Sequence, residues 1–345
     1  MAIINKYKDI IILGIESSCD ETSAAVIIND QLLSNRIANQ TIHQTFGGVV
    51  PELASRAHQA NVIPVIDTAL KEAKIDKSQL TAIAYTQGPG LVGALMVGSS
   101  VAKSLAMSLN IPLIPVNHMQ AHILAHFVKK TEEQKVPEFP FLCLTVSGGH
   151  TQLVLVKNYL EMEVIGQTID DAAGEAFDKC AKILGLPYPG GPLIDKYAKT
   201  GNTKAFEFAE PRVDAFDYSF SGLKTSVLYF IQKQVQKNPN FIQENLNDLC
   251  ASIQYTIVKI LLQKFELAAK KQGVKNICIA GGVSANSYLR AEITALAHKN
   301  HWKAFIPEFE FCTDNAAMIA ITGYYKYLQN EFGKLSDIPT ARMQF

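Results

Sequence analysis

The sequence has no Cys-x-x-Cys pair, no net charge and no uninterrupted apolar run of membrane-spanning length. Each absence closes off a class of protein. Cys19, Cys143, Cys180, Cys250, Cys278 and Cys312 are far apart, which fits reduced thiols in a cytoplasmic protein rather than a paired-cysteine zinc or redox motif. Basic and acidic residues number 32 each, so no global field draws the chain to nucleic acid or membrane. Any RNA contact must then use a local patch, such as Lys129-Lys130, Lys196 with Lys199 and Lys204, or Lys270-Lys271 with Lys275, or a partner's surface. The opening run MAIINKYKDIIILGIE lacks a small-residue cleavage site and reads as a strand rather than a leader. The remaining composition, 48% hydrophobic and 19% charged over 345 residues, predicts a globular protein of about two domains.

Among the residues present, Asn117–His126 (NHMQAHILAH) stands out. On a helix, His118 and His122 share one face, close enough for both imidazoles to hold one ion. Asp314 would complete a two-histidine, one-carboxylate set, which leaves positions open for substrate. Ordinary helix faces carry the same histidine spacing, and the third ligand is distant in sequence. No glutamate follows His118, so the zinc-peptidase motif with its built-in general base is absent. His126 extends the face by a turn and is expected as a supporting or surface group.

The chain reads as one unit used twice. Strands at 10–16, 23–28 and 32–38 are followed by alternating helices and strands, with helices predicted over 50–73, broken or kinked at Pro64, over 92–109 and over 119–130. Strands at 141–146, 152–156 and 163–168 open the second copy, with helices over 174–184, 244–272, 285–300 and 315–329 and strands at 276–280 and 303–306. The charged, proline-bearing segment 129–140 reads as the linker. The predicted domains are therefore 1–130 and 131–345, with 315–345 packing back on the first. Alternating strands and helices predict an α/β fold with helices on both sheet faces. The duplicated plan is that of paired ribonuclease-H-like domains in the actin-like ATPase superfamily, facing each other across a cleft.

Three glycine-bearing turns follow predicted strands. Thr145-Val146-Ser147-Gly148-Gly149 could bring backbone N–H groups to an anion, or could be a plain type I′ or II′ hairpin. Gly281–Asn286 joins a strand to a helix, where free N–H groups face a ligand and Asn286 could meet a ribose. Pro189–Pro192, followed by Asp195, could cover a base. Asp20 and Glu21 occupy the first hairpin turn, where they are either solvated or poised to take a proton. The segment 86–98 (TQGPGLVGALMVG) enters a helix of small residues, suited to close packing either internally or against another subunit.

Nine motifs occur in order across nearly the whole chain: GIESSCDETSAAV, TQGPGLVGALMVG, NHMQAH, TVSGGHTQLV, DDAAGEAFDK, YPGGPLID, SFSGLKTSV, GGVSANSYLR and FCTDNAAMIA. In these the chain resembles the bacterial TsaD family, transferases that form N6-threonylcarbamoyladenosine in tRNA. The resemblance implies transfer of the threonylcarbamoyl group from threonylcarbamoyl-adenylate to N6 of adenosine 37, in tRNAs reading codons that begin with A, with release of AMP. It implies one divalent metal per subunit, iron or alternatively zinc, on His118, His122 and Asp314. It implies substrate-binding positions at Thr145, Val146, Ser147, Gly148, Gly149, Asp178, Gly191, Asp195 and Asn286, and acidic residues Asp20 and Glu21 near the reacting group. It also implies a paralogous TsaB-like subunit, a TsaE-like P-loop ATPase and tRNA as partners. An ATPase or kinase on the same fold, a metallopeptidase and an idle scaffold are the competing readings. The first would need magnesium held by carboxylates rather than by two histidines.

Overall fold

The computed structural model describes residues 9–211, 213 and 215–345, so the first eight residues of the opening run lie outside the described residues. In chain order the strands and helices are β1 (Ile11–Glu16), β2 (Thr22–Ile28), β3 (Gln31–Ala38), α1 (Pro51–Ala73), β4 (Ala82–Gly88), α2 (Val92–Leu109), β5 (Leu113–Asn117) and α3 (His118–Leu124). They continue with β6 (Phe141–Val146), β7 (Thr151–Val156), β8 (Met162–Gln167), α4 (Ala173–Ile183), α5 (Gly190–Ala198), α6 (Ser221–Lys237) and α7 (Phe241–Gln272). The last are β9 (Asn276–Ala280), α8 (Ser287–Asn300), β10 (Lys303–Phe305) and α9 (Ala316–Leu328).

The described chain forms two compact units. The first takes residues up to Thr41, Val49–Val136 and Asp314–Phe345; the second takes Ile42–Gly48 and Pro137–Thr313. Each holds a five-stranded sheet of the same plan. In the first unit the order is β3-β2-β1-β4-β5, with β1 pairing antiparallel to β2 and parallel to β4. In the second the order is β10-β9-β6-β7-β8, with β6 antiparallel to β7 and parallel to β9.

Strand alternation assigns the faces of the first sheet. Leu13 and Ile15 join Val26, Tyr85, Val62, Ile66 and Ala102 in a core between the sheet and the pair α1 and α2. Gly14 points the other way, where an added Cβ would lie 2.5 Å from the Ala316 carbonyl oxygen and 2.7 Å from the Ala320 nitrogen. Gly323 of α9 likewise lies against Ala84 of β4. These two glycines let α9 lie directly on the sheet, and Asp314 sits two residues before its first turn.

Several local expectations change. Helix α1 runs through Pro64 without a break. The helix expected over 119–130 ends at Leu124; a tighter turn, Ala125–Phe127, follows, and Lys129 then bridges to Gln31 at the start of β3. His126 is buried in that turn rather than on the surface. Helix α2 is long and apolar enough, by length and composition, to cross a membrane, which the sequence reading did not anticipate. It packs through Ala94, Leu95, Gly98, Ala102 and Ala106, with Gly93 against Ser55 of α1 and Gly98 against Ser17. Its small residues therefore serve internal packing, while Val92, Met96 and Met107 stay exposed.

Candidate metal centre and binding loops

Asn117 ends β5 and caps α3, its side-chain oxygen accepting from the N–H groups of Met119 (2.9 Å) and Gln120 (3.2 Å). That cap starts the helix at His118, so His118 and His122 project from one face. Their Nε2 atoms lie 3.1 Å apart, with the rings edge to face. Asp314 Oδ1 lies 3.1 Å from His122 Nε2 and 3.3 Å from His118 Nε2. Both histidines are buried and the Asp314 side chain is one-fifth exposed. All three residues belong to the first unit. Ligands about 2.0–2.2 Å from a common ion would themselves sit about 3 Å apart, so this donor set fits a divalent ion.

Glu16, which sequence reasoning passed over as the end of a strand, is fully buried beside this trio. Its carboxylate accepts from the Ser18 N–H, the Thr86 hydroxyl and His118 Nδ1. A carboxylate can only accept, so His118 Nδ1 carries the proton and Nε2 faces the trio. Ser18 Oγ adds contacts to His118 Nδ1 (3.2 Å) and Asp314 Oδ2 (3.4 Å). His122 has no such support, since its buried Nδ1 lacks a partner among the described residues. A carboxylate at the end of a strand, one turn upstream of the acidic loop, was the only signal in the sequence.

The charges interlock. Burial pushes the Glu16 carboxyl up, but the His118 imidazolium and the hydrogen bonds from His118 and Ser18 outweigh it and hold Glu16 below the usual range. Burial likewise opposes ionisation of Asp314, and the two histidines outweigh it, leaving Asp314 well below the usual carboxylate range. Burial disfavours a charged His118, but Asp314 and Glu16 raise it well above an ordinary imidazole. The Glu21 carboxyl is pushed up to about 9, chiefly by burial and then by the charges of Asp314 and Asp20. A carboxyl that keeps its proton at neutral pH donates a hydrogen bond and cannot act as a base.

Exchanging Glu16 for Gln should leave the shape intact while removing the charge and one of the two acceptor oxygens, so that Ser18 N–H on one side and His118 Nδ1–H on the other can no longer both be accepted. Metal affinity should fall about 10- to 100-fold, the usual effect of losing an orienting partner. Calorimetric titration with zinc checks this, and unchanged affinity would reduce Glu16 to a core group.

In the second unit residues 145–149 end and follow β6 and Asn286 follows β9, at the strand carboxyl ends where open α/β sheets bind ligands, while Asp178 lies on α4 and Gly191 and Asp195 lie on α5. Ser147 N–H donates to the His150 carbonyl at 2.9 Å, and Ser147 Oγ accepts from His150 N–H at 3.1 Å. Neither Gly148 nor Gly149 has positive φ, so the turn is not a type I′ or II′ hairpin. The space above both glycines is open, which lets a ligand approach the backbone. Gly281 is different: its φ is +87°, and an added Cβ would meet the Val146 carbonyl at 2.5 Å. Thr145 and Val146 are thus the β6 neighbours of the Gly281 turn.

Asp178 accepts from the N–H groups of Gly190 (2.8 Å) and Gly191 (3.0 Å), capping α5 from a distance in sequence. Burial raises its pKa, opposed by those two donors. Asp195 accepts from the N–H and hydroxyl of Ser287, tying α5 to the start of α8. Asn286 caps α8 through Leu289 N–H and donates to Gln254 at 2.7 Å, so both ends of its carboxamide already have protein partners. Asp178→Ala should strand two N–H groups and cost about 1–3 kcal/mol, whereas Asp178→Asn keeps an acceptor and should stay near wild type. Thermal unfolding of both variants separates this account from a purely steric one, which predicts equal losses.

The two sheets and their topology belong to the actin-like ATPase fold class. Full-length HypF in its phosphate- and nucleotide-bound form superposes with TM-score 0.59 over 94% of this chain and 56% of that one, at 13% identity. Component A of the Acidaminococcus fermentans (R)-2-hydroxyglutaryl-CoA dehydratase superposes with TM-score 0.52 over 92% and 99%, at 14% identity. Identities this low establish the fold alone. The family model "TsaD: tRNA N6-adenosine threonylcarbamoyltransferase" matches residues 31–321. A Christiangramia forsetii protein of that name is 60% identical over 97% of this chain and 98% of the relative, and one from Porphyromonas gingivalis is 57% identical over 97% and 99%. The chain therefore belongs to the TsaD family of tRNA N6-adenosine threonylcarbamoyltransferases.

Proposed function

We propose that this transferase moves the threonylcarbamoyl group of threonylcarbamoyl-adenylate to N6 of adenosine 37, in tRNAs reading codons that begin with A, and releases AMP. The observation that carries the reading is the convergence of His118, His122 and Asp314 in a chain of this family. A bound divalent ion, iron or alternatively zinc, would supply Lewis-acid stabilisation of the oxygen on which charge develops. The protein's own residues supply the rest. The N6 lone pair forms a bond to the carbamoyl carbon, the bond from that carbon to the phosphate oxygen breaks, and AMP leaves with the electron pair. Asp20 accepts the amine proton, or orients the amine for attack, and Glu21 donates a hydrogen bond from its protonated carboxyl. The turn at Ser147–Gly149 offers backbone donors to the adenylate, and Asp178 holds Gly191 in place beside it.

A TsaB-like subunit packs on the exposed apolar faces of α1 and α2, at Ile63, Val92, Met96 and Met107, and a TsaE-like ATPase joins the assembly. With balanced charge, the isolated chain should bind tRNA weakly and in a salt-sensitive way. Incubating the protein and its partners with threonylcarbamoyl-adenylate and unmodified tRNA, then analysing nucleosides by mass spectrometry, tests the reading. Modified adenosine at position 37 is expected. Consumption of the adenylate by hydrolysis alone, with no modified nucleoside, would overturn it.

A further inference from the structure

Residues 333–344 run as a strap along the edge of the first unit and end against the cap of the histidine helix. Gly333 N–H donates to the Leu113 carbonyl at 2.8 Å, and Lys103 Nζ donates to the Asp337 carbonyl. Gln87 Nε2 donates to the Ile338 carbonyl at 3.2 Å, and Thr340 N–H donates back to the Gln87 carbonyl at 2.8 Å. Gly90 N–H then donates to the Ala341 carbonyl at 3.2 Å. A Cβ on Gly88 would overlap the Thr340 carbonyl, so glycine is required where the strap crosses β4. At its far end the Gln344 carbonyl accepts from Asn117 Nδ2 at 2.9 Å.

These contacts reach the trio by two routes. Asn117 is the residue whose side-chain oxygen starts α3, and fixing its Nδ2 on Gln344 fixes which way the carboxamide faces. The turn held by Thr340 and Ala341 continues into Leu91, whose N–H donates to the Ser18 carbonyl at 2.7 Å. Ser18 Oγ in turn touches His118 and Asp314. None of this was legible from the motifs, because the strap contributes mainly backbone carbonyls.

We propose that residues 338–344 position the His118, His122 and Asp314 side chains, acting through the Asn117 cap and through the 87–91 turn. The inference rests on the metal-site reading for its consequence, not for its geometry. Because the anchor is a backbone carbonyl, the Gln344 side chain is dispensable while the residue itself is not. The test uses the full chain, a chain ending at Met343, Gln344→Ala, and Asn117→Ser, which keeps a capping oxygen but cannot reach residue 344.

Hydrogen exchange on the metal-free proteins is the first readout. The shortened chain and Asn117→Ser should exchange about tenfold faster over 118–124, with α7 unchanged, and Gln344→Ala should match wild type. Zinc titration is the second readout, with affinity expected to fall about tenfold in the same two variants. Unchanged exchange over 118–124 in the shortened chain would overturn the proposal. So would equal losses in Gln344→Ala, which would make the effect one of side-chain packing. A wild-type protein that binds no zinc or iron would sink the metal reading instead, and exchange would still decide the strap.

Discussion

Replacing His122 by alanine should leave both cores folded and reduce metal affinity by more than the roughly 10- to 100-fold expected for an orienting partner, because a ligand itself is lost. Neither the α1–α2 core of the first unit nor the large core of the second contains a residue of α3 or α9, so losing this imidazole leaves both intact and unfolding is not the expected route to inactivity. His122 Nε2 lies 3.1 Å from both His118 Nε2 and Asp314 Oδ1, so its loss removes one of the three converging donors. Transfer activity should fall with metal content. Full metal content and full activity in the variant would show that the ligand set is wrong.

The second large effect concerns a residue with no functional group. Gly14→Val would drive a branched side chain into the backbone of α9 at Ala316 and Ala320. Backbone cannot step aside as a flexible side chain can, so α9 must lift from the sheet, at a cost of about 3 kcal/mol or more. Asp314 lies just before α9 and should move with it, so metal affinity should fall alongside stability. Thermal unfolding and zinc titration check the two parts separately. Wild-type values for both would show that α9 does not depend on close approach at Gly14.

The elements most legible in the sequence are those whose signals are local. The buried run of β1 and the meander after it, the i,i+4 pair His118 and His122, and the strand-to-helix turn at Gly281 all carry their causes within a few residues. The elements missed are set from a distance. Helix α6 begins where Asp170, 50 residues upstream, accepts from Phe220 N–H and the Ser221 hydroxyl. Helix α5 begins on the carboxylate of Asp178. Glu16 reads as one more strand residue until folding places His118 and Thr86 against it. Asp314 was identified by type and by family resemblance, but its position depends on Gly14 and Gly323 admitting α9 to the sheet. Spacing along the chain carries no information about such contacts.

The central claim is that the trio holds a divalent ion which threonylcarbamoyl transfer requires. It is tested most directly by the single-turnover transfer rate of wild-type protein, with its partners, after chelation and dialysis, measured before and after adding one equivalent of ferrous iron or zinc. The account predicts loss of modified adenosine on stripping, and recovery on addition in wild type but not in Asp314→Ala. Transfer at the untreated rate by the stripped protein would contradict it.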